Sequence, residues 1–515
     1  MEIVLNSPSR KRFIVGAAAV LCLVYVLLAG RLFVASLFAE KPELASLERA
    51  TRLDSGNADY RNLLGRYYAL VARDPVTAIE PYRAAVQLNP HSAHYWFDLA
   101  SAYQVLGDAI NQTWALRQAV QADPTTPDVA WEAANNFLVQ GENEKALREF
   151  HVVLDGEPSM ASLAIQFCWR INPDVDTLLR DVVPAQSTAY IAFLELLMTP
   201  RRVALSANTA PSKTDRKNWV YTLAAPEAGA ASNAWAGVTA MLSGYGEGAA
   251  GNNVTARITA STSTTIEIEN YTGTATNTSV GPDSPILTIG GTKQDIAATT
   301  KVWDKLMATS PASQPFELRY AYEYFQYLLD HNAVDQARVV WQQTVPRFNL
   351  SSGYLPKRNN LIVNGDFSLD ILNGGFDWRY QKQPNVTLTL DPTEFPVGGN
   401  RSLMITFDGP GVNDAGIFQF IAAQPGTTYD FSAYYKSGEF EGAGGPHLSI
   451  QDVVTQAVLY ESDELKEAGE SWKHVTGVFT TGDDCKLLVL RVRRLPEGSP
   501  IRGKLWVDDF SLKRQ

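Results

Sequence analysis

The side chains that could carry chemistry are few and scattered. The six histidines (His91, His94, His151, His331, His447 and His474) form no His-Glu-x-x-His motif and no cluster with cysteine. His91 and His94 fall where a solvated polar residue is the ordinary expectation. The three cysteines, Cys22, Cys168 and Cys485, show no Cys-x-x-Cys spacing, so neither a redox pair nor a disulfide framework is expected. No nucleophile elbow, phosphate loop or kinase signature occurs. Asp508 and Asp509 are adjacent acids, but glycoside hydrolysis needs two carboxyls facing each other across a cleft. Gly246–Gly251 formally matches Gly-x-Gly-x-x-Gly. No parallel strand leads into it, so it reads as a flexible linker and not a dinucleotide site. Asn253, Asn270 and Asn277 stand in Asn-x-Ser/Thr sequons, which matter only in a secreted eukaryotic chain. The expectation is a non-catalytic protein without a cofactor.

The bulk composition points the same way. The chain has 515 residues, 45% hydrophobic and 19% charged, a globular composition long enough for several domains. Its net charge of -11 offers no basic face for a nucleic acid, so none is expected as a partner.

Positioning elements come next. Arg10-Lys11-Arg12 precedes an unbroken apolar run from Phe13 to Gly30, 18 residues long. That is enough to cross a bilayer core, and longer than the core of a cleaved signal. Residues 1–40 therefore read as a cytoplasmic basic tip and signal-anchor helix, with the rest of the chain outside. For a bacterium this means the inner membrane, with the bulk of the chain in the periplasm.

Prolines at 90, 124 and 158 are spaced by 34 residues, and small and large residues recur between them. Such a period marks stacked helical hairpins, because one hairpin cannot bury its apolar face alone. The first unit carries Leu64-Gly65, Tyr68, Ala78, Tyr82, Ala85 and Pro90, with one extra residue assigned to its turn. The second carries Trp96, Leu99-Ala100, Tyr103, Leu116, Ala119 and Pro124, and the third Ala133-Ala134, Phe137, Gly141, Ala146, Phe150 and Pro158. This pattern resembles the tetratricopeptide repeat. The resemblance implies an all-α solenoid over residues 41–198 that binds a protein partner, with Tyr68, Trp96, Tyr103 and Phe137 in its groove. After Pro158 the beat is expected to loosen. Residues 295–346 read as its continuation, with Ala189–Met198 and Ile296–Met307 as the two halves of one split hairpin. Residues 199–294, rich in Ala, Gly, Ser and Thr, read as an insertion in that hairpin's turn. It is expected to be small and β-rich, with a strand at Asn218–Leu223 and a helix at Asn233–Leu242.

Residues 347–358 read as a linker. From Asn359 short apolar strands alternate with Gly, Pro and Asn turns, which suggests an all-β jelly-roll sandwich over 359–515. Four stretches are distinctive: Asn360–Phe367, Thr427–Tyr435, Ser471–Val475 and Leu505–Leu512. Their order resembles the carbohydrate-binding modules with a galactose-binding-like jelly roll. That resemblance implies a polysaccharide partner, held by aromatic rings that stack on a sugar's C–H face. Candidates are Trp378, Tyr380, Tyr434 and Tyr435, while Trp472 and Trp506 are expected to pack structurally. It also implies a structural calcium, with Asp366 and Asp508 as ligands and Asp509 as the alternative to Asp508; Ser368 stands where the pattern has Glu. The combined expectation is a membrane-anchored scaffold at envelope polysaccharide synthesis or export. The alternative is an assembly protein whose jelly roll binds protein and not sugar.

Overall fold

The computed structural model describes residues 8–206, 212–213, 218–244, 254–269, 285–396, 398–466 and 471–515. The Gly246–Gly251 run and the three sequon asparagines lie outside them. The protein is multidomain: an N-terminal apolar helix, a helix-rich first part and a C-terminal β-sandwich. It divides into two compact units, Met1–Ala192 and Phe193–Gln515.

In the first unit, α1 (Pro8–Ala39) is long and apolar enough to cross a membrane. A four-residue turn reverses it into α2 (Leu44–Leu53). Arg31 Nε donates to the Leu53 carbonyl at 2.5 Å and Ala35 is fully buried, so α2 packs back along the end of α1.

Three hairpins follow. Their first helices are α3 (Ala58–Arg66), α5 (Ala93–Val105) and α7 (Pro127–Val139). Their second helices are α4 (Pro75–Leu88), α6 (Ala109–Ala122) and α8 (Asn143–Gly156), whose starts keep the 34-residue beat. Asp74 and Asp108 cap α4 and α6 by accepting from the Thr77 and Asn111 amides. Gly107 and Gly141 turn the chain at φ +73° and +76°, and Arg73 takes the same place in the first hairpin at φ +55°. The extra residue of the first unit is therefore not in its turn. It is absorbed as a π-helical stretch, Tyr67–Val71, where the Ala72 amide reaches back to the Tyr67 carbonyl. The beat also outlasts Pro158, since α9 (Ala161–Ile171) starts 34 residues after α7. It fails only at α10 (Val175–Asp181), which is a single short helix. The helix α11 (Ser187–Met198) leads into the second unit.

The insertion is larger than a hairpin. Its strands are β1 (Arg201–Ala204), β2 (Ser212–Lys213), β3 (Asn218–Thr222), β4 (Thr239–Ser243), β5 (Val254–Ser261), β6 (Thr265–Glu269) and β7 (Ile286–Ile289). They form one seven-stranded antiparallel sheet in the order β1-β7-β4-β5-β6-β3-β2. The helix expected over Asn233–Leu242 is not formed. Gly237 at φ +87° breaks it, and Ala240 and Leu242 are buried while Thr239 and Met241 point out, the two-residue period of β4. Arg201 pairs with Ile289, so the sheet's entrance and exit lie side by side.

Beyond it come α12 (Lys293–Ala308), opened by a Thr292/Asp295 capping box, and the hairpin α13 (Leu318–Asp330) and α14 (Val334–Arg347). The residues read as a linker are folded down on α14: Tyr354 is buried, and its carbonyl accepts from Trp341 Nε1 at 2.7 Å.

Among the described residues the sandwich has ten strands: β8 (Arg379–Tyr380), β9 (Val386–Asp391), β10 (Ser402–Gly409), β11 (Asp414–Ala422), β12 (Thr428–Gly442), β13 (Gly445–Asp452), β14 (Val458–Glu461), β15 (Lys473–Thr480), β16 (Leu487–Leu495) and β17 (Ile501–Arg514). One sheet runs β15-β12-β17-β10-β9 and the other β14-β13-β16-β11-β8. Asn360 closes the domain by bonding to its last strand: its Oδ1 accepts from the Leu512 amide and its Nδ2 donates to the Phe510 carbonyl. Buried Gln419 brackets Val363, accepting its amide at 3.0 Å and donating to its carbonyl at 2.8 Å.

Candidate carbohydrate-binding surface

A sugar can stack only on a ring whose face reaches solvent, and the four expected rings differ sharply in this. Trp378 is 1% exposed. It packs between Phe367 and Phe510 at 5.2 and 5.0 Å, and its Nε1 donates to the Asn364 carbonyl. Tyr435 is also buried, because its strand places it on the inner face with Phe431 and Ala433. Neither ring offers a stacking face, so both assignments are corrected to core. Tyr380 is exposed at the edge strand β8, and Tyr434 is half-buried on the outer face of the first sheet.

Tyr434 has company there. Its ring lies 4.6 Å from His474 on the neighbouring strand, at an angle of 32°. On the central strand, Trp506 pairs with Lys436 of β12 and Met404 of β10. Its indole is held at both ends. Nε1 donates to Asp391 Oδ2 at 2.9 Å, and the six-membered ring lies over Gly438, where an added Cβ would sit 3.4 Å away. The Lys436 ammonium stands 6.0 Å from the ring and bridges to Glu394 at 2.8 Å. Burial pushes the Asp391 carboxyl up, but bonds from Thr393 and Trp506 outweigh it and hold the group below the usual carboxylate range. The surface thus combines a fixed indole, a Tyr-His pair and charged groups of both signs. The expected packing role of Trp506 agrees with these contacts, while its outward register on a central strand leaves the indole half-buried on the sheet's outer face.

The other sheet presents a different outer face. Arg379 of β8 stacks over Phe325 of α13 and over Phe420 of β11 and bonds to Gln326, while Phe376 meets Phe325 edge-on at 4.8 Å. Gly375, at φ +60°, sits so close to Trp341 that a Cβ there would come within 2.2 Å of the ring. Part of this face is thus packed on the α13–α14 hairpin, and burial lowers the Arg379 guanidinium to about 10.

Two buried acids belong to the domain's frame. Asp377 is fully buried and pushed up to about 7 by desolvation, against the lowering effect of the nearby Leu372 and Trp378 amides and Asn364; one oxygen accepts from the Leu372 amide, and the other has no hydrogen bond of good geometry among the described residues. Asp508 is 1% exposed and also raised to about 7, first by desolvation and then by the Asp509 and Asp366 charges. A calcium would relieve that repulsion, so the pair Asp366 and Asp508 fits a cation in charge. Among the described residues no group of three or more His, Cys, Asp or Glu side chains has metal-holding spacing, so backbone oxygens would have to complete the shell.

The expected repeat groove is mostly core. Trp96, Tyr103 and Phe137 are buried between helices, with Trp96 Nε1 bonded to the Pro90 carbonyl and the Tyr103 hydroxyl accepting from Arg83; only Tyr68 is partly open. They are corrected to packing residues. What the array exposes on its beat is Val71, Val105 and Val139, at 62, 71 and 72%.

The sequence of residues 359–496 matches the family described as carbohydrate binding domain. No curated protein matches the chain by sequence. Among solved structures, one described as "CBM4 structure and function" is 19% identical, covering 30% of this chain and 99% of that one, with a TM-score of 0.23. The crystal structure of MamA is 21% identical over 30% of this chain and 84% of that one, TM-score 0.24. The first TPR of Spaghetti (RPAP3) bound to the HSP90 peptide SRMEEVD is 20% identical over 23% and 94%, TM-score 0.21.

Proposed function

We propose that this protein is a membrane-anchored, non-catalytic scaffold that binds a glycan through its C-terminal sandwich and a protein through its helical hairpins. The observation that carries the glycan part is the family match over residues 359–496. The outer face around Trp506, Tyr434 and His474 is the proposed site, with exposed Tyr380 as a separate contact at the opposite sheet's edge. The anchor is α1, and the basic cluster Arg10-Lys11-Arg12 at its N-terminal end favours a cytoplasmic N-terminus with the bulk in the periplasm. Envelope polysaccharide synthesis or export is the setting in which a membrane tether, a protein surface and a sugar site are all used. A structural calcium held by Asp366 and Asp508 belongs to the same reading.

Glycan-array binding of the detergent-solubilised full chain tests the sugar claim. Retention of a polysaccharide, and its loss in Trp506→Ala, is the expected result; a blank array removes the claim. For the protein claim, a partner recovered with the full chain should be lost in a Val105→Asp/Val139→Asp variant. A second reading has its own support: one sheet face is packed on α13–α14, as in a sandwich that serves as a structural brace and binds no sugar.

A further inference from the structure

Within the second unit, three modules converge on a crevice of about 380 Å³. The insertion contributes Gly237–Thr239 and Arg257. The end of α13 and its turn contribute Gln326, Leu329 and Asp330–Asn332, and the sandwich contributes Phe420, Val453, Val454 and Leu487. No one module has this cavity by itself.

Its walls divide by chemistry. Phe420, Leu329 and Leu487 make an apolar side. On the polar side, Arg257 is exposed and has no hydrogen-bond or ion-pair partner among the described residues. Asp330 is held in place, its Oδ1 accepting from Gln326 Nε2 at 2.6 Å, while Gln326 Oε1 accepts from Arg379. Among the described residues Asp330 Oδ2 accepts no hydrogen bond, and the carboxylate's charge acts on the Arg379 guanidinium. His331 Nδ1 lies 2.7 Å from the Tyr327 carbonyl, which can only accept, so Nδ1 carries a proton there. Two glycines keep the space open. Gly291, at φ +67°, could not carry a Cβ without meeting the His331 ring at 1.8 Å, and Gly237, at φ +87°, lies beside the Arg257 guanidinium.

We propose that this crevice is a second saccharide site, taking the end of a neutral glycan chain. The inference rests on the glycan-binding reading and names a further site for it. Arg257, Asp330 and Phe420 all line the crevice, and the Arg379 guanidinium stands over the same Phe420 ring at 5.1 Å, so charges of both signs meet a ligand and a net-charged one would be opposed by one of them. A neutral sugar meets all three, its hydroxyls both donating to Asp330 and accepting from Arg257, with its C–H face against Phe420. The volume lies near the lower end of the about 300–1,000 Å³ usual for small-ligand sites, which suits a short terminus and not the run of a polymer.

The test is titration calorimetry of the detergent-solubilised full chain with cellobiose, xylobiose and mannobiose, and with the corresponding hexaoses. With the first site removed by Trp506→Ala, at least one disaccharide should still bind with millimolar affinity. Arg257→Gln and Asp330→Asn should each weaken it tenfold or more, with thermal unfolding unchanged. If hexaoses bind through Trp506 and no disaccharide binds, the crevice site is wrong while the glycan-binding function stands. Disaccharide binding that survives both crevice variants also overturns it. If no saccharide binds at all, both fail.

Discussion

Replacing Trp378 with alanine should unfold the sandwich and not merely disarm a binding surface. The indole is 1% exposed, lies against Phe367 and Phe510, and satisfies the Asn364 carbonyl at 3.0 Å. Deleting a buried aromatic side chain costs about 3–5 kcal/mol through lost burial and the cavity left behind. The orphaned carbonyl adds roughly 1–3 kcal/mol. Domains are typically stable by about 5–15 kcal/mol, so the sum is a large share of the whole. Trp378→Phe keeps much of the volume and loses the hydrogen bond, so it should cost less than the alanine variant. Urea unfolding of the full chain, followed by limited proteolysis at the sandwich, reads the difference. A Trp378→Ala protein within about 0.5 kcal/mol of wild type, but unable to bind glycan, would refute the reasoning and return Trp378 to the binding surface.

Other predictions follow from buried charge and close packing. Asp377 and Asp508 are raised to about 7, so between about pH 4 and 7 the folded chain holds protons that the unfolded chain has released. Stability should therefore fall as pH rises through that window, and Asp377→Asn should flatten the slope in thermal melts at pH 5 and 8. Calcium should raise the unfolding temperature by supplying about 2.7 kcal/mol at a hundredfold excess over its Kd, and Asp508→Asn should abolish the shift. In the array, a Cβ at Gly65 would lie 2.6 Å from the Tyr82 ring, so Gly65→Ala should cost about 1–3 kcal/mol. Gly107→Ala meets open space but sits at φ +73°, and should cost only about 1 kcal/mol by circular dichroism melts.

What could be read from the sequence was what repeats or alternates locally. The 34-residue beat located the hairpins because each buries the same small and large residues. The Asn360 and Leu505–Leu512 stretches marked the two ends of the sandwich because they bond to each other. The π-helical residue escaped, since an insertion inside a helix and one in its turn have the same length. The strand at Thr239–Ser243 escaped because Ala, Trp and Leu in Asn233–Leu242 suit a helix until Gly237 interrupts them. Inward and outward rings could not be told apart without strand register: Tyr434 and Tyr435 are adjacent and face opposite ways. The packing of the sandwich on α13–α14 depends on Phe325, Trp341, Gly375 and Arg379, which no local pattern connects.

The most direct test of the proposed function is a comparison of oligosaccharide affinity in wild type, Trp506→Ala and Tyr435→Phe, using the full chain. Binding that falls at least tenfold, about 1.4 kcal/mol, in Trp506→Ala and stays unchanged in Tyr435→Phe is the predicted result. Equal binding by all three, or none by wild type, contradicts the assignment of the sugar to the Trp506 face.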